Sequence, residues 1–156
     1  MIDDLLDKEK FPELFPIEEV LRKYPIKYEE SMNTVLNQEI GRFNRLTQEI
    51  KRSLLILKKA IKGEEIMTTD LEKMYKALMD GKVPDLWMNK SYPSLKPLGS
   101  YYNDFLERIN FFEKWIKKGI PKKFWLSGFF FTQSFLTGIL QNYSRSKNIP
   151  VDELSF

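Results

Sequence analysis

The residue types that carry most enzymatic chemistry are missing or badly spaced in this chain. Neither histidine nor cysteine occurs among its 156 residues. Their absence removes Ser-His-Asp and Cys-His nucleophile systems, imidazole general bases, HExxH zinc sites and thiolate-ligated zinc. The carboxylate pairs Asp3-Asp4, Glu18-Glu19, Glu29-Glu30 and Glu64-Glu65 are adjacent in sequence and lie on or beside expected helices, where consecutive side chains do not face each other. They read as solvated surface. Ser127, within Leu126-Ser127-Gly128, has no histidine to activate it and no lysine inside its uncharged surroundings. The nearest approach to a phosphate-cradling loop is Asp80-Gly81-Lys82-Val83. That loop needs a second glycine five residues earlier and Ser or Thr after the lysine, and Lys76 and Val83 stand there instead. The expectation is therefore no catalytic, cofactor-binding or metal-binding side chain in this protein.

What the chain offers instead is an apolar surface. Phe124 to Ser144 (FWLSGFFFTQSFLTGILQNYS) is an uncharged island in a sequence that is 30% Asp, Glu, Lys and Arg. As a helix, at about 1.5 Å per residue, it is long enough to cross a bilayer. Its polar residues argue otherwise, because Ser127, Thr132, Gln133, Ser134, Thr137, Gln141, Asn142 and Ser144 leave no unbroken apolar run longer than Gly128 to Phe131. A loop leading into a helix over about 132–146 is the expected form. Trp125, Phe129, Phe130, Phe131 and Phe135 then serve as core, or as a docking surface for another module, since a helix apolar around most of its circumference needs partners on several sides.

The elements that position this island are helices punctuated by proline and glycine. Pro12 and Pro16 break the acidic start, and Ile17 to Lys23 reads as a short helix that Pro25 ends. From Ser31, Met32, Val35, Leu36, Ile40, Phe43, Leu46, Ile50, Leu54, Leu57 and Ile61 recur at steps of mostly three and four, predicting one long helix over about 31–62 that Gly63 stops. Such a helix is about 46 Å long, more than a compact bundle of this size needs. Thr69 to Glu72 reads as a capping box for a helix from Asp70 to Met79, closed by Gly81. Pro84, Pro93 and Pro97 make 83–97 an irregular connector, its aromatics resting on the bundle surface. A second amphipathic helix follows from Leu98 to Lys118, with Tyr101, Tyr102, Phe105, Leu106, Ile109, Phe112, Trp115 and Ile116 inward. Ile149 to Leu154 reads as one more helix start, cut off at Phe156.

Composition fits one all-α helical domain over 1–156. The protein has 18.6 kDa of mass and an ordinary hydrophobic content of 42%, and its 12 Phe, 7 Tyr and 3 Trp need cover. The start, MIDDLLDKEKF, is acidic and lacks the apolar core of a signal peptide. Without cysteine there is no disulfide framework, as is usual in cytosolic proteins.

Five collinear blocks carry a family resemblance. Tyr24-Pro25-Ile26-Lys27-Tyr28-Glu29-Glu30-Ser31-Met32-Asn33-Thr34-Val35-Leu36, Gln38-Glu39-Ile40-Gly41-Arg42-Phe43-Asn44-Arg45-Leu46, Gly81-Lys82-Val83-Pro84 and Ser91-Tyr92-Pro93-Ser94-Leu95-Lys96-Pro97-Leu98-Gly99-Ser100-Tyr101 are four of them. The fifth and most specific is Phe124 to Gly138. Together they resemble the C-terminal region of dynein heavy chains, particularly the axonemal type. The resemblance implies the helical part that follows the sixth AAA+ module, lies on one face of the ring, and precedes a β-rich segment beyond the position of Phe156. It implies a structural and regulatory part of a microtubule motor in the cytoplasm and cytoskeleton, at the axoneme of a cilium or flagellum. ATP, magnesium and microtubules would be handled elsewhere in the parent protein, and the partners here would be the AAA+ ring and, through the parent, the other dynein subunits. No nucleic acid and no membrane enter that picture.

Charge supports a rival reading. Lys58-Lys59, Lys62, Lys117-Lys118 and Lys122-Lys123, with Arg45, Lys51 and Arg52, could give a free-standing helical scaffold a basic face for acidic partners. The excess is small, however, with 25 basic against 22 acidic residues and a net charge of +3. Several of the clusters also fall near helix C-termini, where lysine complements the macrodipole.

Overall fold

The computed structural model describes residues 2–6, 11–26 and 31–119. These form six α-helices: α1 (Ile2–Leu5), α2 (Ile17–Lys23), α3 (Ser31–Ile61), α4 (Thr69–Met79), α5 (Asp85–Met88) and α6 (Leu98–Lys118). The fold is all-α, with no strand among the described residues. They group into two compact units, the first built from 2–6, 11–14 and 43–109, the second from 15–26, 31–42 and 110–119. The aromatic island and the helix start at Ile149 lie outside the described residues.

In the first unit the apolar repeat of α3 is its buried face. Phe43, Leu46, Ile50, Leu54 and Leu57 are wholly buried, each contributing about 1.5–3 kcal/mol of transfer free energy. Ile61, last of the repeat, is half exposed because the helix ends there. The stop is Gly63, whose φ of 81° is the left-handed conformation that glycine adopts without a Cβ penalty. Its N–H bonds to the Ala60 carbonyl at 3.1 Å and that of Glu64 to Lys59 at 2.9 Å, a Schellman closure that satisfies two terminal carbonyls. Gly81, at φ 71°, ends α4 in the same way, with Gly81 N–H to Leu78 at 3.1 Å and Lys82 N–H to Ala77 at 2.8 Å. The Gly81 carbonyl accepts from Leu98 N–H at 2.9 Å, tying the end of α4 to the start of α6.

Three local expectations change. The cap of α4 is Thr68 rather than Thr69: Thr68 is extended (φ −77°, ψ 166°) and its Oγ1 accepts from Leu71 N–H at 3.2 Å. Both Asp70 and Glu72 lie in the first turn, at the positive end of the helix dipole. The connector also holds a turn of helix, α5, which proline permits because Pro84 stands before its first residue and the next ring is at Pro93. Finally, Trp87 and Tyr92 do not rest on the surface of the unit; they are 0% and 1% exposed and belong to its core.

The second unit holds α2, the first part of α3 and the last part of α6. Its core includes Phe15, Val20, Met32, Val35, Leu36, Ile40, Phe112 and Trp115, with Leu36 and Ile40 wholly buried. The bend after α2 is fixed by amides of α3. Asn37 Nδ2 donates to the Tyr24 carbonyl at 2.9 Å, and Asn33 Nδ2 donates to that of Pro25 at 3.0 Å. Tyr24 and Lys23 in turn serve the end of α6. The Tyr24 hydroxyl donates to the Trp115 carbonyl at 2.9 Å, which also accepts from Gly119 N–H at 2.9 Å, and Lys23 Nζ donates at 2.6 Å to that of Ile116, among the last carbonyls of the helix. Phe112 stacks on Trp115 at 6.0 Å between ring centroids.

Candidate functional site

A buried polar arrangement surrounds the connector in the first unit. It is assembled from α3, the 89–97 segment and α6. Tyr92, carried inward by the connector, lies 5.5 Å from the ring of Tyr101 and 6.0 Å from that of Phe43. The guanidinium of Arg108 sits 3.6 Å over the Tyr92 ring centre, a cation–π contact with little water near it. Arg108 Nε donates to Asp104 Oδ2 at 2.9 Å, one helical turn away on α6, and Lys96 Nζ reaches the other oxygen, Oδ1, at 3.2 Å. The Tyr101 hydroxyl donates to Ser91 Oγ at 2.7 Å, and Ser91 Oγ donates to the Tyr92 carbonyl at 2.8 Å.

A second group of similar design faces α5. Glu49, buried on α3, accepts from Arg52 Nη2 at 2.6 Å and meets Lys90 Nζ at 3.6 Å. One turn on, Ser53 accepts from the indole N–H of Trp87 at 2.8 Å while donating to the Glu49 carbonyl at 2.7 Å. Glu49 and Asp104 thus each hold two cations, one on the same helix and one on the connector. The connector is fastened to α3 and α6 by charge as well as by its aromatic rings.

These groups link helices through hydrogen bonds and ion pairs. Burial pushes the phenol of Tyr101 up to about 12, against the pull of its hydrogen bonds with Ser91 and Tyr92. Burial raises the Tyr92 phenol too, and the charge of Tyr101 adds to it. Both stay protonated around neutrality, and Asp104 and Glu49 are engaged with cations. No cluster of three or more acidic side chains able to hold a metal ion occurs among the described residues.

Trp125, Phe129, Phe130, Phe131, Phe135 and Ser127 lie outside the described residues. Glu18 and Glu19 occupy the exposed first turn of α2, and Glu64 and Glu65 the exposed turn after Gly63. Asp3 pairs with Lys58 at 2.6 Å, and that hydrogen bond holds its carboxyl below the ordinary carboxylate value. Gly81-Lys82 is a helix C-cap. Lys58-Lys59 and Lys117-Lys118 fall in the last turns of α3 and α6. The buried carboxylates Glu49 and Asp104 were not singled out. Their signal is the spacing to Arg52 (i, i+3) and Arg108 (i, i+4), which reads equally as a surface pair. No helix among the described residues is long and apolar enough to cross a membrane.

Among the described residues the structure is all-α, with buried polar groups that tie helices together. Over residues 1–156 the sequence matches the family described as the C-terminal domain of the dynein heavy chain, and the protein belongs to that family. Mouse dynein axonemal heavy chain 3 is 54% identical over 156 residues, covering 100% of this sequence and 4% of that protein. Human dynein axonemal heavy chain 12 is 56% identical over 153 residues, 98% of this sequence and 5% of that protein. Rat dynein axonemal heavy chain 1 is 52% identical over 145 residues, 93% of this sequence and 3% of that protein. This kinship indicates a cytoskeletal location at a ciliary or flagellar axoneme. The sequence spans only a few hundredths of the length of these relatives.

Proposed function

We propose that this protein, as one helical domain, is a structural and regulatory part of a dynein motor, packing on the AAA+ ring of its own heavy chain and bracing it during ATP-driven movement along microtubules. The observation that carries the reading is the family match along the whole sequence, at 54% identity to an axonemal heavy chain. The described residues add support. Glu49 and Asp104 fasten helices through their cations, and Ile66, Met79 and Leu95 stand 83%, 61% and 105% exposed in the first unit. On its sequence, the uncharged island with Trp125, Phe129, Phe130, Phe131 and Phe135 is proposed for the same docking role.

In this reading the domain performs no catalysis and holds no cofactor; ATP and magnesium belong to modules elsewhere in the heavy chain. The rival scaffold with a basic face is less well supported, since Arg52 and Lys90 engage Glu49, Lys96 and Arg108 engage Asp104, and Lys58 engages Asp3. Deleting the segment from an intact heavy chain tests the proposal. Altered coupling of ATPase to microtubule gliding velocity, with a changed stall force, is the expected result. Unchanged ATPase, velocity and stall force would refute it.

A further inference from the structure

The turn between α3 and α4 holds an exposed isoleucine at the wall of an apolar hollow. Both ends of the turn are fixed, by the Gly63 closure on one side and by the Thr68 cap on the other. Ile66 stands between these two anchored points and is 83% exposed. It lines a cavity of about 350 Å³ that opens between α3, α4 and α5, where the half-buried Ile56 and Leu86 and the buried Leu71 give an apolar floor. Glu65 and Asp70 line the same cavity and are exposed; among the described residues neither side chain makes an ion pair or a hydrogen bond. Arg52 lines it too, but its guanidinium is engaged with Glu49 at 2.6 Å. A second cavity, of about 500 Å³, shares Asp70 and Leu86 with the first and continues between α4 and α5 past Ala77 and Val83. Both are open to solvent, so together they form a groove rather than an enclosed pocket.

We infer that this groove seats a segment of the same heavy chain that carries an apolar anchor side chain flanked by lysine or arginine, an inference that rests on the heavy-chain reading above. The floor of Ile56, Leu71 and Leu86, with Ile66 at its wall, takes the anchor. Glu65 and Asp70, without cations of their own, meet the flanking basic groups, so the charges of groove and occupant are complementary. The open, elongated shape fits a stretch of polypeptide better than a small molecule, which a binding pocket surrounds on most sides. The size argues for an occupant on the same chain. Such a groove accepts a few side chains, against the roughly 20–30 residues a side of a stable association between free proteins. Tethering removes that requirement, because a segment of the same polypeptide is present at high effective concentration. This sequence covers 4% of mouse dynein axonemal heavy chain 3, so a parent of that length has ample chain to supply the segment.

The test places the photo-reactive residue benzoylphenylalanine at Ile66, Met79 or Leu95, one at a time, in the intact heavy chain, and identifies the cross-linked peptides by mass spectrometry. Met79 and Leu95 are exposed but line neither cavity, and they serve as controls. From Ile66 the expected product lies within the same heavy chain, on an apolar residue one helical turn or less from a lysine or arginine. Reversing the rim charges with Glu65→Lys and Asp70→Lys together should lower that yield roughly fivefold or more, because two attractions become repulsions, while the yields from Met79 and Leu95 hold. Four results overturn the inference: an Ile66 product on another subunit or on tubulin, a product on a segment without a neighbouring basic residue, an Ile66 yield unmoved by charge reversal, or no Ile66 product while Met79 or Leu95 gives one on the AAA+ ring. The last of these leaves the docking of the domain on the ring standing. No product within the heavy chain from any of the three positions overturns both.

Discussion

Replacing Ser53 by alanine probes the attachment of the connector with a single oxygen atom. Ser53 is 1% exposed and is the acceptor for the indole N–H of Trp87, itself 0% exposed, at 2.8 Å. Alanine removes the acceptor and leaves a buried donor with nothing to bind, at about 1–3 kcal/mol. Alanine is also the better helix former by about half a kcal/mol, which offsets part of the loss. The net expectation is a destabilisation of about 1–2 kcal/mol. For a protein of this size that lowers the melting temperature by roughly 2–8 °C. Trp87→Phe, by contrast, removes the donor itself. In that background Ser53→Ala should cost almost nothing, so the two substitutions are strongly non-additive. Circular dichroism during thermal and urea unfolding of the four proteins measures the cycle. Equal costs of Ser53→Ala with and without Trp87, or a cost below about 0.3 kcal/mol, would refute the assignment of this hydrogen bond.

Three other outcomes follow from the same structure. Asp104→Asn leaves Arg108 buried without its carboxylate and should cost about 3–5 kcal/mol, while Lys96→Ala, at the exposed side of the same group, should cost under about 1 kcal/mol; urea unfolding separates them. Gly63→Ala and Gly81→Ala force alanine into the left-handed region and should each cost about 1–2 kcal/mol, whereas Gly41→Ala, inside α3 without a positive φ and with no described atom near the added Cβ, should be neutral or stabilising by up to about 1 kcal/mol; their melting temperatures should move in opposite directions. Tyr101 titrates at about 12 in the fold against an ordinary value of 10.0, so the folded state keeps a proton that the unfolded state gives up. Its contribution is complete below pH 10 and is lost as pH rises towards 12, about 2–3 kcal/mol in all; tyrosinate absorbance recorded beside circular dichroism should show the phenol ionising with unfolding rather than before it.

The long elements were legible because one strong signal governed each. The α3 repeat runs at helical spacing from Met32 to Leu57 and is punctuated by Gly63, and the observed helix, Ser31–Ile61, ends one residue short of the expected 62. Helix α6 is bounded by Pro97 and Gly119 and has the predicted ends, Leu98 and Lys118. Its inward set includes Tyr101, Tyr102, Phe105, Ile109, Phe112 and Trp115 as buried, with Leu106 and Ile116 half-buried. Where two neighbours could do the same job the sequence was ambiguous, as at Thr68 and Thr69. The single turn of α5 was hidden because three prolines dominate the connector and four residues give no periodicity. The depth of Trp87 and Tyr92 was hidden for a different reason: their burial depends on Ser53, Phe43 and Arg108, all distant in sequence. Likewise, an acid one turn from an arginine looks the same in sequence whether it lies in solvent or, like Asp104, in the core. For the proposed docking surface the sequence remains the carrier, through the island from Phe124 to Ser144.

The central claim, that this protein works as one part of a very large motor, is tested most directly by the size and location of the native molecule. Antibody raised against the 156-residue sequence should detect, in source cells resolved for very large proteins, a band far above 18.6 kDa that is enriched with axonemes and released from them by salt. A single band near 18.6 kDa, free of cilia and microtubules, would contradict the account.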